Sequence, residues 1–446
     1  MTPATDATPS LERAIGPVAA TLLVIGGVIG SGIFLTTGVM AKALPSPSLL
    51  LLAWIAGGMF SLAGALTYAE MGTMFPRSGG VYVFLREAFG PLTAFLYGWA
   101  CLLVVLSGGI AAVSVGFADY LSYFFPGLPI PVAAVASILL LGGVNYLGVR
   151  SGSGTNAVLT TAKLAGLVML PIVALLAARA APAFTPIVPA ALASPWSAFG
   201  LAMIAVLWAN EGFYFVTYAA GEIRDPARTL PRALTVGMLA IIAVYLVVNL
   251  AYLFALPMEE LAGTTRVAER AATSMVGPWG ATFVALTVVV STLGCNAAAI
   301  LVSSRLLFAM AADGLFFRAM AAVHPRYRSP HVAVIGITIW SALLALSGTY
   351  EQLFTYVVFT SVLFSLMGGL ALFRLRSTRP SAERPYRVWG YPVLPLFFVL
   401  GSVVVLVNTV QAKPFESISG LILLVIGLPV YMFWRRTPHP RIGELG

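Results

Sequence analysis

Charge is what this chain lacks most. Of 446 residues, 25 are basic and 16 acidic, so charged side chains make up 9%, against roughly 25% in a soluble domain. With 59% hydrophobic residues and a mean hydropathy of +0.95, the apolar side chains cannot all be hidden in one core, and a water-soluble globule is excluded. Cysteine is nearly absent: Cys101 and Cys295 both lie in apolar runs and indicate no disulfide framework. The three histidines, His324, His331 and His439, fall in or beside segments expected to face the cytoplasm. They leave no intramembrane metal cluster or histidine-based catalytic site to assemble, and no cofactor is expected. A nucleotide-driven pump is excluded by the lack of a Gly-x-x-x-x-Gly-Lys-Ser/Thr loop. The net charge of +9 could suggest nucleic acid, but the basic residues sit in short loops between apolar runs, where they orient a membrane protein instead. A cleavable signal peptide is not expected, since Met1 to Arg13 is polar and the first apolar segment is too long for one.

What is there is apolar sequence in pieces long enough to cross about 30 Å of hydrocarbon, which takes roughly 20 residues each. Twelve such segments are expected, at 15–40, 49–75, 88–118, 129–148, 154–178, 197–220, 233–255, 278–311, 332–347, 351–374, 391–411 and 417–434. They are predicted to be helices, because a helix satisfies its own backbone in lipid. The fold class is therefore an all-α polytopic membrane protein. With the N-terminus in the cytoplasm, nineteen basic residues fall in inward loops and tails and five in outward ones, so the positive-inside rule places both termini in the cytoplasm of a multi-pass cell (inner) membrane protein. Four connections have room for structure of their own: an inward amphipathic stretch at 77–90, an outward Pro-rich loop at 181–196, an outward stretch at 258–276 readable as a short helix across the mouth, and a basic inward loop at 313–330.

Two segments carry interruptions. The first contains Gly26, Gly27, Gly30 and Gly32 within seven residues, which favours an unwound segment. The sixth contains Trp208-Ala209-Asn210-Glu211-Gly212-Phe213, with an ionisable residue and a glycine near its middle. Non-helical backbone at membrane depth is tolerated only where it is buried in protein or lines a polar cavity. Small-residue helix packing would also explain the first break alone. Two interrupted helices, one opening each set of five, point instead to a transporter built from inverted repeats with its site at the bilayer midplane. A half-helix N-terminus offers N–H groups and a positive dipole end to a carboxylate, while freed carbonyls accept from an ammonium. A zwitterionic amino acid carries both groups on one carbon.

Four pieces, in order along the chain, then carry a family resemblance: Gly-Val-Ile-Gly-Ser-Gly-Ile-Phe from Gly27 to Phe34; Pro-Arg-Ser-Gly-Gly-Val-Tyr from Pro76 to Tyr82, with Phe95-Leu96-Tyr97-Gly98-Trp99; Gly-Glu-Ile-Arg-Asp-Pro-Ala-Arg-Thr-Leu-Pro-Arg-Ala from Gly221 to Ala233; and Ser304-Arg305 with Phe308-Ala309-Met310. Over about residues 13 to 434 the chain resembles the amino acid-polyamine-organocation superfamily, and within it the L-type amino acid transporter branch and its bacterial relatives. The resemblance implies a five-plus-five inverted repeat of the LeuT-like kind, with helices 1 and 6 unwound and two further helices. The divisions would be a tail at 1–14, repeats at 15–196 and 197–377, the extra helices at 378–434 and a tail at 435–446. It also implies that Ser31 and Gly32 hold the substrate carboxylate, that carbonyls of Val28, Trp208 and Glu211 take the amino group with Gly212 in the same break, and that Trp208 closes the outward side. The loop from Asp119 to Ile130 has no cysteine, so a disulfide-linked heavy chain is not expected; the oligomeric state is left open.

Lys163 is the one lysine of three that lies within an apolar segment, about nine residues in and roughly 13 Å deep. An ionisable group at that depth is a functional candidate. By similarity to the sodium-independent branch it would supply covalently the cation that sodium-coupled relatives hold between helices 1, 5 and 8, with the Gly26 or Gly27 carbonyls and the Ser291 or Thr292 hydroxyls as partners. Glu211, buried without a cation, is a candidate proton carrier, or a carboxylate satisfied by N–H groups of the turn. Glu70 is expected at the membrane interface. The expected function is secondary transport of neutral L-amino acids, by sodium-independent exchange or proton-linked uptake. A polyamine or cationic amino acid permease is the alternative, and would need several carboxylates where Glu211 alone is available. An intramembrane enzyme would need a dyad, for which Lys163 with Ser31 or Ser291 is the nearest approach.

Overall fold

The computed structural model describes residues 11–177, 180–190, 192, 194–347, 350–412 and 414–436, and the outer parts of both expected tails lie outside them. Helices dominate this region, and one isolated parallel bridge pairs Ile15 with Ile223. The first expected segment is two helices, α1 (Pro17–Val28) and α2 (Gly32–Ala43), followed by α3 (Pro47–Met74). The inward amphipathic stretch forms α4 (Val81–Phe89), so the third segment begins later than 88: α5 (Pro91–Ala100) runs through a wider π-turn at Cys101–Val105 into α6 (Leu106–Leu121). Next come α7 (Ile130–Tyr146) and α8 (Val149–Ala177), which places Lys163 fourteen residues after the helix start.

The sixth segment is helical only as α9 (Pro195–Ala209); beyond the break it continues as a 3₁₀ turn at Phe215–Glu222 instead of an α-helix. Then α10 (Pro226–Ala255) leads into two short helices where one was expected, α11 (Met258–Gly263) and α12 (Val267–Val276). The remainder is α13 (Pro278–Ala312), α14 (His331–Ala345), α15 (Tyr350–Thr378), α16 (Val393–Ala412) and α17 (Pro414–Arg436). Among the described residues nine helical stretches are long and apolar enough to cross a membrane, counting the broken Pro17–Ala43 as one, and α7, α9 and α14 are shorter apolar helices. Exposed Leu139, Leu140, Val158, Leu343, Val407 and Val425 face outward, as lipid-facing side chains would. The centre is built by α1 against α8, α10 and α13, with α6 packed on α13.

At the arginine-rich end, polar contacts bind the bundle across long sequence separations. Arg305 forms a two-pronged ion pair with Glu222 at 2.7 and 2.8 Å, both side chains fully buried. The Glu222 carbonyl also accepts from Ile15 N–H at 3.0 Å, which ties the entry of α1 to the end of the 3₁₀ turn. Glu70, four residues before the end of α3, is fully buried within the protein: Arg376 reaches it at 2.9 and 2.6 Å, Arg384 at 3.4 Å, and the Val388 N–H at 2.7 Å. Removing one partner of such a pair leaves a buried charge uncompensated, a cost of about 3–5 kcal/mol, whereas replacing both by apolar groups is far milder. Arg305→Ala and Glu222→Ala are therefore expected to lower the thermal midpoint in detergent sharply, and Glu222→Leu/Arg305→Met to recover most of it. A double variant no better than the single ones would contradict this account of the pair.

Candidate functional site

Helix α1 stops at Val28, and three residues in bend conformation, Ile29, Gly30 and Ser31, separate it from α2. Gly26 and Gly27, expected in the unwound part, lie in the last helical turn. Unwinding them is unnecessary, because the last carbonyls of any helix have no partner inside it. Each of these carbonyls finds a side chain. Lys163 Nζ donates to Gly26 at 2.8 Å and also to Ile29; Cys295 Sγ donates to Gly27 at 3.1 Å; the Tyr245 hydroxyl reaches Val28 at 3.3 Å; and the Ser291 hydroxyl lies 3.1 Å from the Gly30 carbonyl and 3.2 Å from that of Ile29, within reach of either. Three other helices, α8, α10 and α13, thus hold the break open.

Lys163 is fully buried, and its third partner is the Ser291 carbonyl at 3.5 Å. The expected pairing with the Ser291 and Thr292 hydroxyls is corrected: the former bonds to α1, and the latter bonds back to Val288 and Val289 on its own helix at 2.8 and 3.0 Å. Adjacent residues on a helix point about 100° apart, so both could not face one ammonium. Lys163 and Ser291 therefore serve carbonyls, and no Ser/Lys dyad forms between them. Among the described residues no group of three or more potential metal ligands occurs.

The second break lies directly against the first. Gly212 has φ of +95°, a conformation that favours glycine, and a Cβ there would come within 3.0 Å of the Gly27 carbonyl. The Trp208 carbonyl accepts from Glu211 N–H at 3.1 Å and the Gly212 carbonyl from Phe215 N–H at 2.9 Å, while the Glu211 carboxylate accepts from the Tyr214 hydroxyl. The opening turn of α2 is equally close: a Cβ on Gly32 would stand 2.7 Å from Ala209 Cα.

Between the breaks lies a cavity of about 40 Å³. Gly27, Val28, Gly30, Ser31 and Gly32 form one wall; Trp208, Glu211 and Phe215 the second; Val105, Leu106, Gly109, Ile110 and Val113 the third; Cys295, Asn296 and Ala299 the fourth. The structure thus brings together Val28, Ser31, Gly32, Trp208 and Glu211 around one space, with Trp208 buried in it and not facing lipid. Gly212 supports the break without lining the cavity, and Lys163, Ser291 and Gly26 stand behind its first wall.

Sequence reasoning missed Tyr245. Its hydroxyl is 2.8 Å from the Ala209 carbonyl and 3.3 Å from that of Val28, so one side chain on α10 spans both breaks. The signal was a polar stripe at Tyr245, Asn249 and Tyr252 in an otherwise apolar span; Asn249 also accepts from Thr37 of α2 at 2.8 Å. Tyr245→Phe keeps the ring's edge contact with Trp54 and removes the bridge, which at about 0.5–1.5 kcal/mol for a hydrogen bond corresponds to roughly a 3- to 10-fold fall in exchange rate. Unchanged exchange by this variant would show that the bridge does not couple the breaks.

Comparison with known proteins identifies the family. The model of the amino acid permease family matches residues 15–431. The serine/threonine exchanger SteT of Bacillus subtilis is 31% identical over 428 residues, spanning 94% of this chain and 96% of that one. The human b(0,+)-type amino acid transporter 1 is 30% identical, spanning 96% of this chain and 89% of its own, and the human large neutral amino acids transporter small subunit 2 is 29% identical, spanning 96% and 82%. These relatives are transporters and exchangers, not enzymes. With similarity running along nearly its whole length, the chain belongs to the amino acid permease family, within the amino acid-polyamine-organocation superfamily, as a multi-pass membrane transporter.

Proposed function

We propose that this chain is a sodium-independent transporter of small neutral L-amino acids, working by exchange or proton-linked uptake through alternating access. The observation that carries the reading is the pairing of two helix breaks around one small cavity, with the opening turn of α2 on one side and carbonyl-rich helix ends on the other. The first N–H groups of α2, with Ser31, suit a carboxylate, and the carbonyls of Val28, Trp208 and Glu211 suit an ammonium. Lys163, fixed on α1 and α13 carbonyls, supports the role of a built-in cation. In this reading the nine long and three short apolar helices make twelve crossings, arranged as inverted repeats at 15–196 and 197–377 with two further helices, and both termini face the cytoplasm of the cell membrane. Both cysteines are buried free thiols, which supports a chain working without a disulfide-linked heavy chain.

A cationic amino acid or polyamine is the second reading, favoured by the Glu211 carboxylate at the cavity. It is the one carboxylate in the lining, and Tyr214 already donates to it, so the neutral substrate is preferred. Counterflow into proteoliposomes loaded with single amino acids separates the two. Exchange of alanine, serine or leucine without arginine or putrescine supports the neutral reading; saturable arginine or putrescine exchange alone overturns it.

A further inference from the structure

Asn296 of α13 lines the cavity and is almost fully buried. Its amide nitrogen donates to the Ser114 hydroxyl at 2.7 Å and to the Ile110 carbonyl at 3.3 Å, both on α6. A carbonyl only accepts, so the nitrogen must face α6, and this fixes which way the amide is turned. The other end, Oδ1, has no hydrogen-bond partner in the protein. A buried acceptor left without a donor is costly, and in a native protein it needs an explanation. Neighbouring groups do not supply the donor: Val105, Leu106, Val113 and Ala299 are apolar, and the Cys295 thiol is spent on the Gly27 carbonyl. Gly109 lines the same cavity, and a Cβ on it would meet no atom within 4 Å, so that wall leaves open space.

We propose that Asn296 reads the substrate side chain, its Oδ1 accepting a hydrogen bond from a hydroxyl on the substrate's β-carbon, so that serine and threonine are the preferred class among the small neutral amino acids. This rests on the reading of the cavity as a neutral amino acid site. Threonine and valine have the same shape and differ by hydroxyl against methyl, and L-allo-threonine exchanges the positions of those two groups. A positioned acceptor discriminates among all three, whereas an apolar pocket of the same size does not.

The test is competition against labelled L-alanine counterflow in proteoliposomes. Wild-type protein is expected to take L-threonine at least about tenfold more tightly than L-valine, with L-allo-threonine weaker than L-threonine. Asn296→Ala is expected to bring the threonine-to-valine ratio within about twofold of one. Ser114→Ala, which loosens the amide's tether but keeps Oδ1, is expected to retain the preference. A wild-type ratio near one overturns the proposal whether or not the variants reconstitute, and so does a ratio that survives Asn296→Ala. Alanine exchange without a hydroxyl preference sinks this inference alone; exchange of none of these amino acids sinks the neutral-substrate reading beneath it.

Discussion

Lys163→Ala is expected to cut counterflow by at least about tenfold while changing equilibrium substrate affinity by less than about threefold, and wild-type counterflow is expected to be unchanged when choline replaces sodium. The ammonium holds the Gly26 and Ile29 carbonyls of the first break and the Ser291 carbonyl of α13 from its place on α8. None of these atoms lies on the cavity side where the substrate would bind, so removing the lysine leaves the substrate's contacts in place. It does strip buried carbonyls of a charged donor, and hydrogen bonds to charged groups contribute about 1.5–3 kcal/mol each. That energy ties three helices into one arrangement, and losing it shifts the balance between the states the transporter must alternate through. Strong stimulation of the wild type by sodium, or a variant with normal turnover, would remove the role given to Lys163.

Gly32→Val is expected to weaken substrate binding by about 30-fold or more. A Cβ at this position would sit 2.7 Å from Ala209 Cα and 2.8 Å from its Cβ. Ala209 ends α9 and cannot retreat freely, since its carbonyl is held by Tyr245. The added side chain must push the start of α2 away from the second break, taking with it the N–H groups meant for the carboxylate. Loss of one charge-assisted hydrogen bond, at about 1.5–3 kcal/mol, accounts for a fall of that size. Gly32→Ala should give a smaller loss in the same direction. The measurement is equilibrium binding of labelled alanine to the purified variants, and wild-type affinity in Gly32→Val would show that the carboxylate lies elsewhere.

The two breaks were legible in the sequence because their cause is local: glycines at 26, 27, 30 and 32, and Glu211-Gly212 inside an apolar run. Which residue leaves the helix first was not, since Gly26 and Gly27 expose their carbonyls without unwinding. Lys163 stood out by scarcity and depth. Its hydroxyl partners were misjudged because Ser291 and Thr292 are adjacent in sequence, whereas helical geometry turns them to different neighbours. The ion pairs of Glu70 were not legible because Arg376 and Arg384 lie more than 300 residues further on, and pairing at that separation leaves no mark in composition. Asn296 and Tyr245 were missed for a related reason. Each is one polar side chain in an apolar span, and its meaning depends on which carbonyl or hydroxyl the fold brings opposite.

In the proposed site the paired breaks hold both ends of an amino acid at once. This is tested most directly by measuring binding of three ligands to purified wild-type protein: L-alanine, L-alaninamide, which lacks the carboxylate, and L-lactate, which lacks the ammonium. The expected result is saturable alanine binding with both analogues weaker by at least about 30-fold, the loss of one charge-assisted hydrogen bond or more at either end. Binding of either analogue as tightly as alanine would contradict the account.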